Sequence, residues 1–163
     1  MRTSADLSSC AAEYPPVGVN MNSPTGTHDA SLHPDEDALI RAFFPRDLRR
    51  RFLELLAKPK SRRKMLNQFA HFHDLDPRFA HRIPPTDQTV DKIYRLLKQK
   101  GASDRCHVMD ESVLDGQEVN LREALDALVG RSFGNFVSCI PGKLVYFEGE
   151  EPNERYILER RDV

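Results

Sequence analysis

The densest run of chemistry-bearing residues lies between positions 46 and 64. Arg46, Arg49, Arg50, Arg51, Lys58, Lys60, Arg62, Arg63 and Lys64 stand there against Asp47 and Glu54, a local charge of +7. Closely spaced guanidinium and ammonium groups neutralise the phosphates of a nucleic-acid backbone and release its condensed counterions. The same residues can instead solvate the outer faces of helices while their aliphatic stems cover apolar surface. A third use is docking against acid, either the chain's own Glu148, Glu150, Glu151 and Glu154 or those of a second copy. Elsewhere the balance reverses. Residues 110–163 carry twelve acids against six bases, and residues 1–37 carry six acids against Arg2, so the whole chain sums to -1. With no global excess of either sign, any electrostatic partner has to be met locally.

Three smaller groups could carry chemistry. His71, His73, Asp74, Asp76 and His81 fall close together, but side chains two apart on a helix point about 200° away from each other, so His71 and His73 share a metal only beyond a helix end. Cys139, in Ser138-Cys-Ile-Pro-Gly142, sits where a strand meets a turn, and no local base activates it as a nucleophile. Asp110, Glu111 and Asp115 could face a divalent cation, although acidic loop residues are ordinarily solvated turn formers. None of these is assigned a catalytic or metal-binding role, and no cofactor is expected.

Several familiar chemistries have no motif here. Gly130-Arg-Ser-Phe-Gly134 lacks both the Gly-x-Gly-x-x-Gly and the Gly-Lys-Ser/Thr patterns that cradle phosphates, and the Gly-x-Ser-x-Gly and His-Glu-x-x-His signatures of common hydrolases are missing. Cys10, Cys106 and Cys139 form no Cys-x-x-Cys pair, which argues against a zinc or redox site and fits a reducing cytoplasm. No export signal is legible near the start. No run approaches the ~20 apolar residues that span a bilayer.

The elements that must position these residues can be read from periodicity. Residues 1–33, rich in Ser, Thr, Pro, Gly and Asn, show no period and are expected to form a disordered tail. Pro34 followed by Asp35, Glu36 and Asp37 opens a short helix that Pro45 interrupts. Leu48, Phe52, Leu55 and Leu56 line a second helix ending before Pro59, and Met65, Leu66, Phe69 and Phe72 line a third that Ser61 is expected to cap. This helix–proline–helix outline is that of a helix-turn-helix, but Ala57-Lys-Pro-Lys-Ser61 lacks the usual glycine, so non-specific contacts are the more natural expectation. Residues 74–88 read as a loop. A fourth helix, bracketed by Thr86 and Gly101, carries Val90, Ile93, Tyr94 and Leu97 on one face.

Beyond Gly101 the pattern turns to strand. Arg105–Asp110 alternates, Asp115-Gly116 marks a turn, and Asn120 with Glu123 has the capping-box spacing before a fifth helix that closes at Gly130. Residues 136–140, 143–147 and 155–158 are β-rich runs joined by turns, and an L-proline before Gly142 predicts a bulge in the first hairpin. The expected fold is therefore α+β. A helical half, 34–101, packs on a sheet half, 102–163, of order β-α-β-β-β with an antiparallel meander, together a single domain over 34–163. The expected function is that of a non-catalytic binding module for an anionic partner, nucleic acid first, through the basic corner 46–64. Protein–protein contact or self-association, through that corner or through the meander's edge, is the alternative, and a cysteine- or metal-dependent enzyme comes third. No membrane contact is expected.

Overall fold

The computed structural model describes residues 32–73 and 75–161. Residues 1–31 of the expected tail lie outside the described residues, whereas Leu32 packs on the core and His33 caps the first helix. The chain runs α1 (Pro34–Phe43), α2 (Arg46–Leu56), α3 (Pro59–Phe69), β1 (Ala80–Arg82), α4 (Val90–Gln99), β2 (Arg105–Met109), β3 (Glu118–Asn120), α5 (Leu121–Leu128), β4 (Asn135–Ile140), β5 (Leu144–Glu148) and β6 (Arg155–Glu159). The six strands form one antiparallel sheet in the order β1-β6-β5-β4-β2-β3. This is the α+β class read from the sequence. No helix among the described residues is long and apolar enough to cross a membrane.

Local chemistry sets most boundaries. His33 accepts a hydrogen bond from the Asp35 amide at 3.2 Å, Pro34 occupies the first helical turn, and three acids face the positive end of the α1 dipole. Asn120 caps α5 by accepting from the Arg122 and Glu123 amides. Ser61 does not cap α3. That helix starts two residues earlier at Pro59, whose missing N–H leaves no orphan donor at that position, and the Ser61 hydroxyl donates instead to the Leu55 carbonyl at 2.7 Å. Likewise α4 begins at Val90, because Pro85–Asp87 form a separate 3₁₀ turn.

Two strands escape a reading by periodicity. β1 lies inside the expected loop 74–88 and β3 lies between the expected turn and α5; each is three residues long, too short to show alternation. They occupy the two edges of the sheet. The meander β4–β5–β6 is therefore flanked on both sides, by β1 and by β2, and the sheet's edges are β1 and β3 rather than its own strands. The expected bulge is present, with the β4–β5 register shifting between Ser138 and Ile140.

The helices do not stay together as one half. On one face of the sheet, α1, α2 and α3 bury Leu39, Phe43, Phe44, Phe52, Leu66 and Phe69 against Met109, Phe136, Phe147 and Leu158. On the other face α4 and α5 bury Ile93, Leu97, Leu121 and Leu125 against Val108, Val137, Tyr146 and Ile157. Both faces of the central strands are thus covered, which explains why β4 and β5 read as continuous apolar runs.

Candidate nucleic-acid interface and an adjoining polar cavity

The nine basic residues of the corner do not act as one set. Arg49 turns inward to donate to the Phe44 carbonyl at 2.8 Å, where it closes the end of α1, and Arg50 pairs with Glu54 one turn along α2. Arg62 leaves the patch altogether. Its guanidinium makes two forks: Nη1 and Nη2 donate to the Glu36 carboxylate at 2.8 and 2.7 Å, and Nε and Nη2 donate to Asp115 at 2.7 Å each. The His107 Nε2 lies 2.9 Å from the same Glu36 carboxylate, and the His33 ring stacks on His107 at 4.0 Å. A buried joint therefore ties α1, α3, β2 and the loop after β2 together. The signal available in the sequence was helical phase, since Arg62 lies nearer the apolar side of α3 than its basic neighbours do.

The remaining cations stay outward. Arg46, Arg51, Lys58, Lys60, Arg63 and Lys64 lie at the surface, and none forms an ion pair among the described residues. On α3, Lys60, Arg63, Lys64 and Asn67 follow the i, i+3, i+4, i+7 spacing of one helical face. With Gln68 and Glu111 they line a shallow groove of about 650 Å³. The acidic 148–154 segment does not mask this face: Glu150 and Glu154 meet His71 and His73, the latter pair at 3.2 Å, and Glu148 meets Arg155. The histidines are thereby placed as surface partners of the β5–β6 turn. Among the described residues no three His, Cys, Asp or Glu side chains gather to hold a metal; Asp74 lies outside them.

The groove continues past Arg62 and Arg63, beside Asp110, Glu111 and Ser112, to a deeper cavity of about 250 Å³ lined by those last three with Leu128, Arg131, Phe133 and Asn135. Strand register explains its polar floor. Met109, the last paired residue of β2, lies opposite Phe136, and the next residues out from that pair, Asp110 and Asn135, both line the cavity; Asn135 in turn pairs with Glu148, and Glu148 with Arg155. These four form a row across the sheet on the α5 face, at the level where α5 has ended at Leu128. No helix covers them. The loop 130–134 bends over instead, held by the Glu148 carboxylate, which accepts from the Gly130 and Ser132 amides at 3.0 Å and from the Tyr146 hydroxyl at 2.6 Å.

Within this row the polar groups are unequally satisfied. Asp110 is buried, its Oδ1 accepting from the Ser112 amide and hydroxyl at 3.0 and 2.9 Å. Burial pushes its carboxyl above the ordinary range; the Ser112 bonds oppose this and the charges of Asp115 and Glu111 add to it. Asn135 is 1 % exposed, yet neither its Nδ2 nor its Oδ1 finds a partner among the described residues. An amide so placed forgoes on the order of 1–3 kcal/mol per unmade bond. At the mouth, Phe133 is 60 % exposed. Sequence reading passed over Asn135, whose only signal was a polar residue opening an apolar strand.

The two described cysteines are inert by position. Cys106 and Cys139 are both buried and free, and burial pushes the Cys106 thiol up to about 12 and the Cys139 thiol well above its usual value. Cys10 lies outside the described residues. Iodoacetamide at pH 8 should leave both thiols unlabelled in the native protein and label both in guanidinium, as read by peptide mass mapping. Rapid native labelling of Cys139 would show a thiolate that the fold does not account for.

No protein-family model, curated protein or solved structure matches this chain. Its class is accordingly defined by its own architecture, a six-stranded antiparallel sheet between a three-helix layer and a two-helix layer.

Proposed function

We propose that the chain is a non-catalytic binding module for nucleic acid, docking the phosphate backbone on the outward face of α2 and α3. The observation that carries this reading is the set of six surface basic side chains that form no ion pair among the described residues, three of which line one groove with Asn67, Gln68 and Glu111. Unpaired cations exchange their counterions for phosphates without first breaking an internal bridge. Lys60, Arg63 and Lys64 sit at one helical spacing and replace the broader corner 46–64 as the centre of the interface.

Because the chain has no Trp and four Tyr, co-purifying nucleic acid stands out in the 260/280 nm absorbance ratio of protein prepared at low salt. Anisotropy of labelled oligonucleotides across a salt series is the direct test. Lys60→Ala/Arg63→Ala/Lys64→Ala should weaken binding at low salt and flatten the log–log salt slope by roughly 2 on single strands, at about 0.7 for each phosphate no longer neutralised. Absence of binding at low salt, or a slope indifferent to the triple substitution, overturns the reading.

A further inference from the structure

We propose that the cavity over Asp110 and Asn135 is a nucleobase pocket selective for the 2-amino-4-oxopyrimidine edge, that of guanine. The argument starts from Asn135, a buried side-chain amide whose donor and acceptor atoms are both unpartnered among the described residues, lining the cavity floor. A primary amide completes both bonds at once against a ring lactam: Nδ2 donates to the ring carbonyl and Oδ1 accepts from the adjacent ring N–H.

Selectivity comes from Asp110. Asp110 directly follows the Met109–Phe136 pair and lines the same cavity as Asn135, and Ser112 occupies only its Oδ1, so Oδ2 accepts no hydrogen bond among the described residues. The next group along the ligand's edge must therefore be a donor. Guanine presents acceptor, donor, donor in that order (O6, N1–H, N2–H) and satisfies all three positions. Uracil shares the first two positions but ends on the O2 carbonyl, which opposes a carboxylate oxygen, and cytosine, which presents donor, acceptor, acceptor, also ends on that carbonyl. Adenine ends on C2–H and leaves the acceptor unmatched.

Size and rim agree. At about 250 Å³ the cavity falls below the ~300–1,000 Å³ of sites for drug-sized ligands, which suits a single ring system. Leu128 supplies an apolar wall, and Phe133, held out by the loop 130–134, is the exposed aromatic on which a base can stack. Arg131 stands at the mouth as a cation for a phosphate. The same edge reaches the pocket either from a free nucleotide or from an unstacked base of a strand; the second source alone rests on the nucleic-acid reading above.

The test uses the full chain with GMP, AMP, CMP and UMP, followed by the Asn135 side-chain amide resonances in ¹H–¹⁵N spectra. A parallel arm measures anisotropy on an oligothymidine strand with and without one central dG. The proposal expects GMP to shift the Asn135 resonances and to bind at least tenfold tighter than the other three. Asp110→Asn, which replaces the acceptor while keeping the shape, should abolish that preference. Phe133→Ala, a surface change that does not threaten folding, should weaken GMP several-fold without shifting the melting temperature. GMP binding without strand binding supports the pocket and overturns the strand interface. Strand binding that ignores dG, with no GMP response, overturns the pocket and leaves the basic face standing. GMP binding indifferent to both substitutions also overturns it.

Discussion

Arg62→Ala should lower stability by about 3–5 kcal/mol, the cost of leaving a buried charge without its partner. Glu36 has a side chain only 2 % exposed, and the Arg62 guanidinium supplies two of its three charge-assisted bonds, the third coming from His107. Removing the guanidinium also frees Asp115 and with it the loop that walls the groove. Urea titration reads the destabilisation directly, and Arg62→Met separates charge from packing because it keeps the aliphatic stem. The double variant Glu36→Gln/Arg62→Met should recover much of the stability, since it leaves no uncompensated buried carboxylate at Glu36. A change below about 1 kcal/mol for Arg62→Ala, the level of an exposed surface pair, would mean that the joint is solvated in solution.

The same joint fixes an acid limit. Burial pushes the Glu36 carboxyl up, but the bonds and charges of Arg62 and His107 outweigh it and hold the group at about 2, against an ordinary value of 4.5. A depressed carboxyl contributes stability that is fully present above pH 4.5 and is lost as pH falls toward 2. The shift corresponds to about 3 kcal/mol across that window. Glu36→Gln should remove this component, so the difference in pH dependence between it and the parent isolates one group from the many exposed carboxylates.

Gly134→Ala should destabilise by a comparable amount, roughly 3–5 kcal/mol, from left-handed backbone strain together with overpacking against rigid neighbours. Gly134 has φ +75°, and a Cβ built there would lie 2.1 Å from the Ala70 amide nitrogen and 2.4 Å from the Phe69 carbonyl carbon. Those atoms are backbone at the end of α3, so no side chain can swing aside. Gly101 supplies the control: φ is +92°, but a Cβ there meets nothing within 4 Å, and Gly101→Ala should cost only about 1–2 kcal/mol. Equal destabilisation at the two positions would show that the close approach of the 130–134 loop to α3 is absent in solution. Because this loop carries Phe133 and Arg131, any Gly134→Ala protein that still folds should also bind GMP more weakly.

Local patterns made most of the elements legible. The apolar spacing in α2, α4 and α5, the proline at the start of α1, the Asn120 cap and the three β-rich runs each depend on residues within a few positions of one another, which is the range over which propensity and capping act. The short edge strands were not legible, because residues 80–82 and 118–120 are extended only by pairing with β6 and β2. The same limit divides the basic corner: nine cations look alike in sequence, and only the approach of α1 and the loop after β2 separates inward Arg62 from outward Lys60, Arg63 and Lys64.

By itself, then, the sequence determined the α+β class, most helix and strand positions, and a concentration of positive charge on the second and third helices, because each follows from interactions along the chain. Tertiary structure decided that α4 crosses to the second face of the sheet and that the meander is interior. It also decided that Asp110, Asn135, Glu148 and Arg155 stand in one row under a loop where α5 stops short. Those outcomes depend on strand order and register, which are set by long-range packing of whole faces.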